Sequence, residues 1–426
     1  MATLVSQAYS GLLICGTRYR TDQKRGAMTI DFVAEAKEIA PDLVALRREI
    51  HADPELGNDL PRTQKRVLDA LTGLPVEITL GKQLSSVTAV LRGGKPGPTV
   101  LLRGDMDALP VVEETGLSFA ATNGNMHACG HDLHTAGLVG AVRLLSAHQD
   151  ELPGTVAFMF QPGEEGPGGA KPMLEEGILT AAGSPVDAAF ALHVLPGEQG
   201  VFECRPGTVM AGSNYLRVTF HGEGGHGSRP DAATDPVPPL VEFCQAVQVM
   251  ITRRFSVLDP VVLSITALQG GEALNVIPSV ASMGGTVRTL SHETTEKFPQ
   301  YAKQLAESIA QAHNCTVDFD WETLYPATIN AREEADLVRS ALTEVFGEKR
   351  IRVPDEPIMG SEDFAFVLQE VPGAYLMLQA SPPEIDPATA AYNHSPHVLF
   401  DDAVLADQAA ALAHIAWEYN QRGNNS

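Results

Sequence analysis

Between Asn214 and Leu324 the chain sets out six elements in an order that leaves few folds open. "NYLRVTFHG" reads as a strand and "DPVPPLVEFCQAVQVMITRRF" as a helix. "PVVLSITALQGG" and "ASMGGTVRTL" read as two more strands, "TEKFPQYAKQLAESIAQAHN" as a second helix and "CTVDFDWETL" as a last strand. The order β-α-β-β-α-β is that of the ferredoxin-like unit. It occupies about residues 213–323 and is complete in itself. The flanks read differently. Helices at about Asp31–Ile50 and Thr63–Leu71 lead into the strands "SSVTAVLRGG" and "GPTVLLRGDMDALP". The helix "HTAGLVGAVRLLSAH" and the strand "GTVAFMFQPGEEG" follow. Apolar strands without alternation, set between helices, indicate a sheet covered on both faces. The expected organisation is an α/β domain made of residues 28–212 and 324–426, with residues 213–323 inserted as a smaller domain. Residues 1–27 read as a loosely held extension, with Met28 as an alternative start.

Composition narrows the function classes. With 44% hydrophobic and 19% charged residues, a chain of 426 residues can build a sizeable core. A net charge of −23 argues against nucleic acid or an anionic membrane as partner, since both require a basic footprint. "SGLLICG" is too short to span a bilayer and lacks the flanks of a secretory signal. The cysteines (Cys15, Cys129, Cys204, Cys244 and Cys315) are odd in number and scattered. They suit a reducing compartment, the cytoplasm, better than a disulfide framework.

Chemistry-bearing residues fall where strands run into loops, the edge at which open α/β sheets bind ligands. In "LLRGDMDALP", Asp105 and Asp107 follow an apolar strand; a charged strand end meeting solvent is the plainer reading. In "NMHACGHDLHTAG", Cys129 and His131 are separated by one residue and can turn toward one ion, as thiolate and imidazole are preferred zinc ligands. The alternative is a buried structural cysteine with surface histidines, and His134 can orient neighbours instead of binding. Glu164 and Glu165 in "FMFQPGEEGPGGA" suggest a division of labour, one carboxylate ligating and the other handling a proton; a solvated turn is the alternative. His193 ends the apolar run "AAFALHVLPG", where a core histidine is common, and "AYNHSPHVLFDD" adds His394 and His397. Each alone means little. Their joint occurrence at strand ends is hard to obtain from structure alone.

Nine ordered stretches carry a family resemblance: "LRREIHADPELG", "LLRGDMDALPVVE", "MHACGHDLHTA", "FQPGEEGPGGA", "GTVMAGSN", "GGHGSRP", "NVIPSVASMGGTVRT", "MGSEDFAF" and "NHSPHVLFD". From about Leu43 to its end the chain resembles the zinc amidohydrolases related to hippurate hydrolase, indole-acetyl-amino-acid hydrolases and N-acyl-amino-acid deacylases. The resemblance implies a phosphorylase/hydrolase-like α/β catalytic domain with an inserted ferredoxin-like lid. It implies that Cys129, His131, Glu165, His193 and His394 bind two divalent metal ions per subunit, zinc, manganese or another. Glu164 would be the general base, and His226 in "GGHGSRP" would help polarise the scissile carbonyl. More distant relatives carry His-x-Asp where this chain has Asp105-x-Asp107, so Cys129 looks like the replacement for a lost histidine ligand. Asn275 and Arg288 are candidate substrate contacts; Arg288 could pair with a substrate carboxylate or be structural. Ser361 reads as a helix N-cap on the substrate side of the site.

The implied reaction is hydrolysis of an N-acyl amino acid, a small-molecule substrate. A homodimer or higher homo-oligomer is expected, with His226 supplied by the same chain or by its neighbour. Three rivals remain at this level: a metal- or acyl-amino-acid-binding relative without catalysis, a small-dipeptide metallopeptidase, and a cysteine hydrolase with Cys129 as nucleophile.

Overall fold

A computed structural model describes residues 30–423, so the extension expected at residues 1–27 lies outside the described part. The larger sheet has eight strands. Four of them, Pro153–Gln161, Lys95–Asp105, Ala188–Leu195 and Gly373–Gln379, lie side by side and run parallel at its centre. Their interiors are buried almost without a break, which is why their sequences show no alternation. The helices Phe32–His51, His131–Ala147 and Val404–Gly423 pack together and against this sheet. A second apolar layer containing Leu101, Met159, Ala189, Phe364 and Tyr375 forms another core cluster. Because the four strands are parallel, their carboxyl ends share one edge, and Asp105 and His193 lie on or near it.

The inserted sequence forms a separate four-stranded antiparallel sheet, Val262–Gln269, Val280–Thr289, Gly212–His221 and Thr316–Tyr325 in spatial order, so its first and last strands reach Gly212 and Tyr325, slightly beyond the expected 213–323. Read in chain order this is 2-3-1-4, the ferredoxin-like arrangement expected from the element order. Its helices, Val237–Arg254 and His292–Ala312, share a core with the sheet through Leu216, Val218, Phe220, Phe243, Val247 and Phe298. Ser291 caps the second helix, its hydroxyl accepting the Thr294 N–H at 3.1 Å.

Two features were not expected. Gly225–His226 pairs with Val276–Ile277, and Gly207–Met210 pairs with Thr328–Asn330, as short ribbons apart from both large sheets. Ser361 is not a cap: the short helix starts at Ala365 with Phe364 in the capping position, and Glu362 Oε1 accepts the Phe364 N–H at 2.9 Å. No helix among the described residues is long and apolar enough to cross a membrane.

Candidate metal centre

The Cys129–His131 segment bends sharply because Gly130 adopts φ +83° just before the helix His131–Ala147. A Cβ at Gly130 would meet Val194 Cγ2 at 2.3 Å, so only glycine lets this turn lie against the strand that carries His193. His394 also has positive φ, 72°, and its N–H donates to the Ala128 carbonyl at 2.9 Å. That bond fastens the late histidine loop to the cysteine loop.

Donor atoms of Cys129, His131 and His193 lie within 4.8 Å of one another, and so do those of Cys129, Glu165 and His394. Cys129 belongs to both groups. His193 donates from Nδ1 to its neighbour's carbonyl at Val194, 2.7 Å away, which leaves Nε2 as a lone-pair donor 3.4 Å from Cys129 Sγ. His131 is fully buried, yet neither ring nitrogen has a closer acceptor than Asp107 Oδ1 at 3.4 Å and Asp105 Oδ2 at 3.5 Å, and neither forms a regular hydrogen bond; Glu165 Oε1 lies 3.1 Å from His394 Nε2. Buried polar atoms left unpaired are costly and call for an explanation. A set of thiol, imidazole and carboxylate donors fits a divalent transition ion such as zinc.

The electrostatics favour a cation here. Burial alone would lower the His131 pKa, but Asp105, Asp107 and Cys129 beside it raise it well above the usual histidine range. His394 is pushed up to about 10 by Cys129 and Glu165. Burial lowers His193 well below its ordinary value, so its ring is neutral, as a ligand must be. Burial, with Glu362, Glu165 and Asp363 adding negative charge, raises Glu164 well above the ordinary carboxyl range. Burial and Glu165 also raise the Cys129 thiol.

The Asp-x-Asp pair supports this arrangement from behind. Asp105 Oδ1 lies 2.5 Å from His134 Nδ1, and His134 Nε2 accepts the Val194 N–H at 2.8 Å. Both nitrogens of His134 are therefore occupied, and its ring ties two strands together. Asp107 accepts the amides of Glu164 and Glu165 at 3.0 and 2.9 Å. Beneath them the buried Arg103 donates to Asp105, Glu362, Asp363 and Gln161. This guanidinium reaches two carboxylates 259 and 260 positions further along the chain, a pairing that no local pattern announces. Asn393, just ahead of His394, points Nδ2 at Cys129 Sγ from 3.4 Å. Its only signal in the sequence was its place in the last motif.

The cavity over these residues measures about 670 Å³ and is lined by Cys129, Glu164, Glu165, His193, His394 and Arg288. Arg288 donates to Ser213 and Thr286 hydroxyls and has no acidic partner among the described residues. Leu195, Met210, Ile358 and Met377 form apolar parts of the wall, and Tyr325, which sequence reasoning passed over, also faces the cavity. His226 does not. It is exposed on its ribbon, its Nδ1 accepting from the Ser228 hydroxyl at 2.9 Å, and shares a different depression with Asn275. His397, at the surface, is 3.4 Å from Glu114 Oε2.

Comparison with known proteins agrees with this geometry. Residues 101–418 match peptidase family M20/M25/M40. The chain is 36% identical over 395 residues to thermostable carboxypeptidase 1 of Saccharolobus solfataricus, covering 91% of this chain and 98% of that one. It is 34% identical over 381 residues to N-acetylcysteine deacetylase of Bacillus subtilis, covering 88% and 97%. It superposes on a Bacillus subtilis dinuclear metal-binding peptidase of the M20 family with TM-score 0.77 and 31% identity, covering 90% of this chain and 99% of that one. A shared α/β sheet with an inserted small domain, and a match over most of the chain, place this protein in peptidase family M20/M25/M40.

Proposed function

We propose that the chain is a metal-dependent amidohydrolase that cleaves N-acyl amino acids, with acetyl, benzoyl or similar acyl groups, into a carboxylic acid and a free amino acid. The observation that carries this reading is one cavity combining the Glu164 carboxylate, members of two ligand groups that share Cys129, and the guanidinium of Arg288, which has no acidic partner among the described residues. The activities named for the two relatives make one chemical demand. A carboxypeptidase and an N-acetyl amino acid deacetylase each cleave an amide whose nitrogen belongs to an amino acid with a free carboxylate. Arg288 suits that carboxylate, and the apolar wall suits the acyl chain.

In this reading Cys129, His131, Glu165, His193 and His394 hold two divalent ions, zinc, manganese or another. Such ions, when bound, polarise a carbonyl and lower the pKa of water. Glu164 accepts the proton of the attacking water and returns it to the departing amine nitrogen; its raised pKa strengthens it as the acceptor in the first of these transfers. Asp107 fixes the peptide on which Glu164 stands. His226 and Asn275 come from a second copy of the chain, whose apolar approach is marked by the exposed Leu268, Leu274 and Val276. The reading therefore includes a homodimer or higher homo-oligomer. The four described cysteines are free, which suits the cytoplasm. Cys129 as a metal-free nucleophile fits poorly, because such a residue needs a depressed pKa and burial pushes this thiol up.

The test is release of free amino acid from acetyl-, benzoyl- and longer acyl-amino acids, with their carboxamide analogues as controls. Activity is expected to disappear with chelator, to return with metal and to favour free carboxylates. Glu164→Gln is expected to keep its metal and lose about 10²–10⁴ in kcat. Undiminished turnover in chelator, or in metal-loaded Glu164→Gln, overturns the reading.

A further inference from the structure

Tyr325 is the last residue of the strand Thr316–Tyr325 and pairs with Ser213 at the start of Gly212–His221. It thus sits where both connections to the inserted domain meet, beside a register shift between Thr323 and Tyr325. Its hydroxyl leaves that domain and donates to the backbone carbonyl of Glu164 at 2.8 Å, with the Gly166 carbonyl at 3.5 Å. The ring lies over the same turn: a Cβ at Gly168 would touch Tyr325 Cε1 at 3.6 Å.

The other attachments of this turn come from the large domain or from the turn itself. Asp107 accepts the amides of Glu164 and Glu165, Gly168 donates to the Gly163 carbonyl at 2.9 Å, and Asp363 accepts the amides of Gly169 and Ala170. The Glu164 residue is therefore held by its N–H from one domain and by its C=O from the other. A residue gripped at both peptide groups has little freedom left to reorient its side chain. If the small domain shifts about its two connections, Tyr325 either pulls the Glu164 peptide or releases it.

We propose that Tyr325 is a positioning residue through which the seating of the inserted domain sets the aim of the Glu164 carboxylate. The inference rests on Glu164 being the base. The substrate is then met by a correctly aimed base only when the small domain is in the position that makes this hydrogen bond. Misalignment of a catalytic group by a fraction of its reach is enough to slow a reaction.

The test is Tyr325→Phe in the full-length, metal-loaded protein. It removes only the hydroxyl and keeps the ring against Phe366 and Gly168. We expect kcat about tenfold lower and KM within about twofold, the scale of one hydrogen bond acting on orientation alone. Metal content should match the wild type, and deuterium exchange across residues 162–168 should quicken while that of the helix Val237–Arg254 does not change. Unchanged kcat and unchanged exchange overturn the proposal. So does a loss of metal or a rise in KM that accounts for the lost activity, since either marks a merely structural role. If the wild type releases no amino acid from acyl substrates, the functional reading has failed on its own. Exchange across the turn then still decides whether Tyr325 restrains it.

Discussion

Asp107 accepts the backbone N–H of Glu164 at 3.0 Å with one carboxylate oxygen, while the other takes the next amide at 2.9 Å. A carboxylate at a strand end, which could have been a ligand, is used here to hold the peptide that carries two others. Replacing Asp107 by Ala leaves two buried amides without acceptors, at about 1–3 kcal/mol each. Asp107→Ala is expected to lower stability by about 2–5 kcal/mol in urea unfolding. It should also cut kcat by about 10² in whatever folds. Wild-type kcat in this variant would detach Asp107 from the site.

Cys129 gives a prediction about metal removal. The thiol is nearly buried and its pKa is raised by burial and by Glu165. As a ligand it should resist alkylation in the metal-loaded protein. After chelation it should react slowly rather than as an activated thiolate. Mass spectrometry of iodoacetamide-treated protein with and without chelator reads this directly. A covalent acyl adduct on Cys129 in the metal-free protein would reverse the assignment.

Asp132, which does not line the cavity, ties the start of the helix His131–Ala147 to the helix Phe32–His51. Its Oδ2 accepts from Arg47 Nε at 2.6 Å and lies 2.8 Å from His51 Nδ1, and His51 in turn reaches Glu113 at 3.2 Å. Burial alone would raise the Asp132 carboxyl, but Arg47 and His51 hold it well below the usual range. For His51, burial would lower the pKa, and Asp132 and Glu113 raise it instead. The signs differ. The contribution of Asp132 is complete above the unfolded carboxyl pKa of about 4 and fades as pH falls below it. That of His51 is complete below about 6.5 and fades as pH rises through its folded pKa. Asp132→Asn is therefore expected to cost about 3–5 kcal/mol, the scale of a broken buried pair. The difference should be widest between about pH 4 and 6.5 and narrow on both sides. Unfolding of both proteins across pH checks it; a pH-independent gap would count against the pairing.

The two kinds of sheet were legible for different reasons. Unbroken apolar runs such as "GTVAFMFQ" identify strands buried on both faces, and a complete six-element unit announces itself by order alone. Strand ends then point to where ligands bind. What local pattern cannot carry is long-range pairing. Arg103 reaching Glu362, Tyr325 reaching Glu164 and Asn393 reaching Cys129 join positions between 161 and 264 residues apart. The Ser361 cap failed for a related reason: the Glu362 side chain turns back to the Phe364 amide, so the helix begins later than composition suggests. The ribbon that carries His226 has only two residues per strand, too short to show any period.

His226 is the residue whose position asks for a partner. It shares a depression with Asn275 on the inserted domain, apart from the cavity that holds Glu164 and Arg288. Its ring nitrogen Nδ1 accepts from Ser228, which leaves Nε2 to donate toward something outside this chain's own cavity. If a second copy presents it to a developing oxyanion, His226→Ala should keep metal and fold and lose about 10²–10³ in kcat, the scale of one lost oxyanion donor. The geometry sharpens this into a complementation experiment. A mixed dimer of His226→Ala and Glu164→Gln subunits contains one cavity with both an intact base and an intact partner histidine. Under verified subunit exchange such mixtures should regain a fraction of wild-type activity that neither parent shows. If exchange occurs and activity does not return, His226 must reach the cavity of its own chain, by a rearrangement of the inserted domain. Wild-type turnover in His226→Ala would instead remove the histidine from the reaction and leave the metals and Arg288 to stabilise the oxyanion.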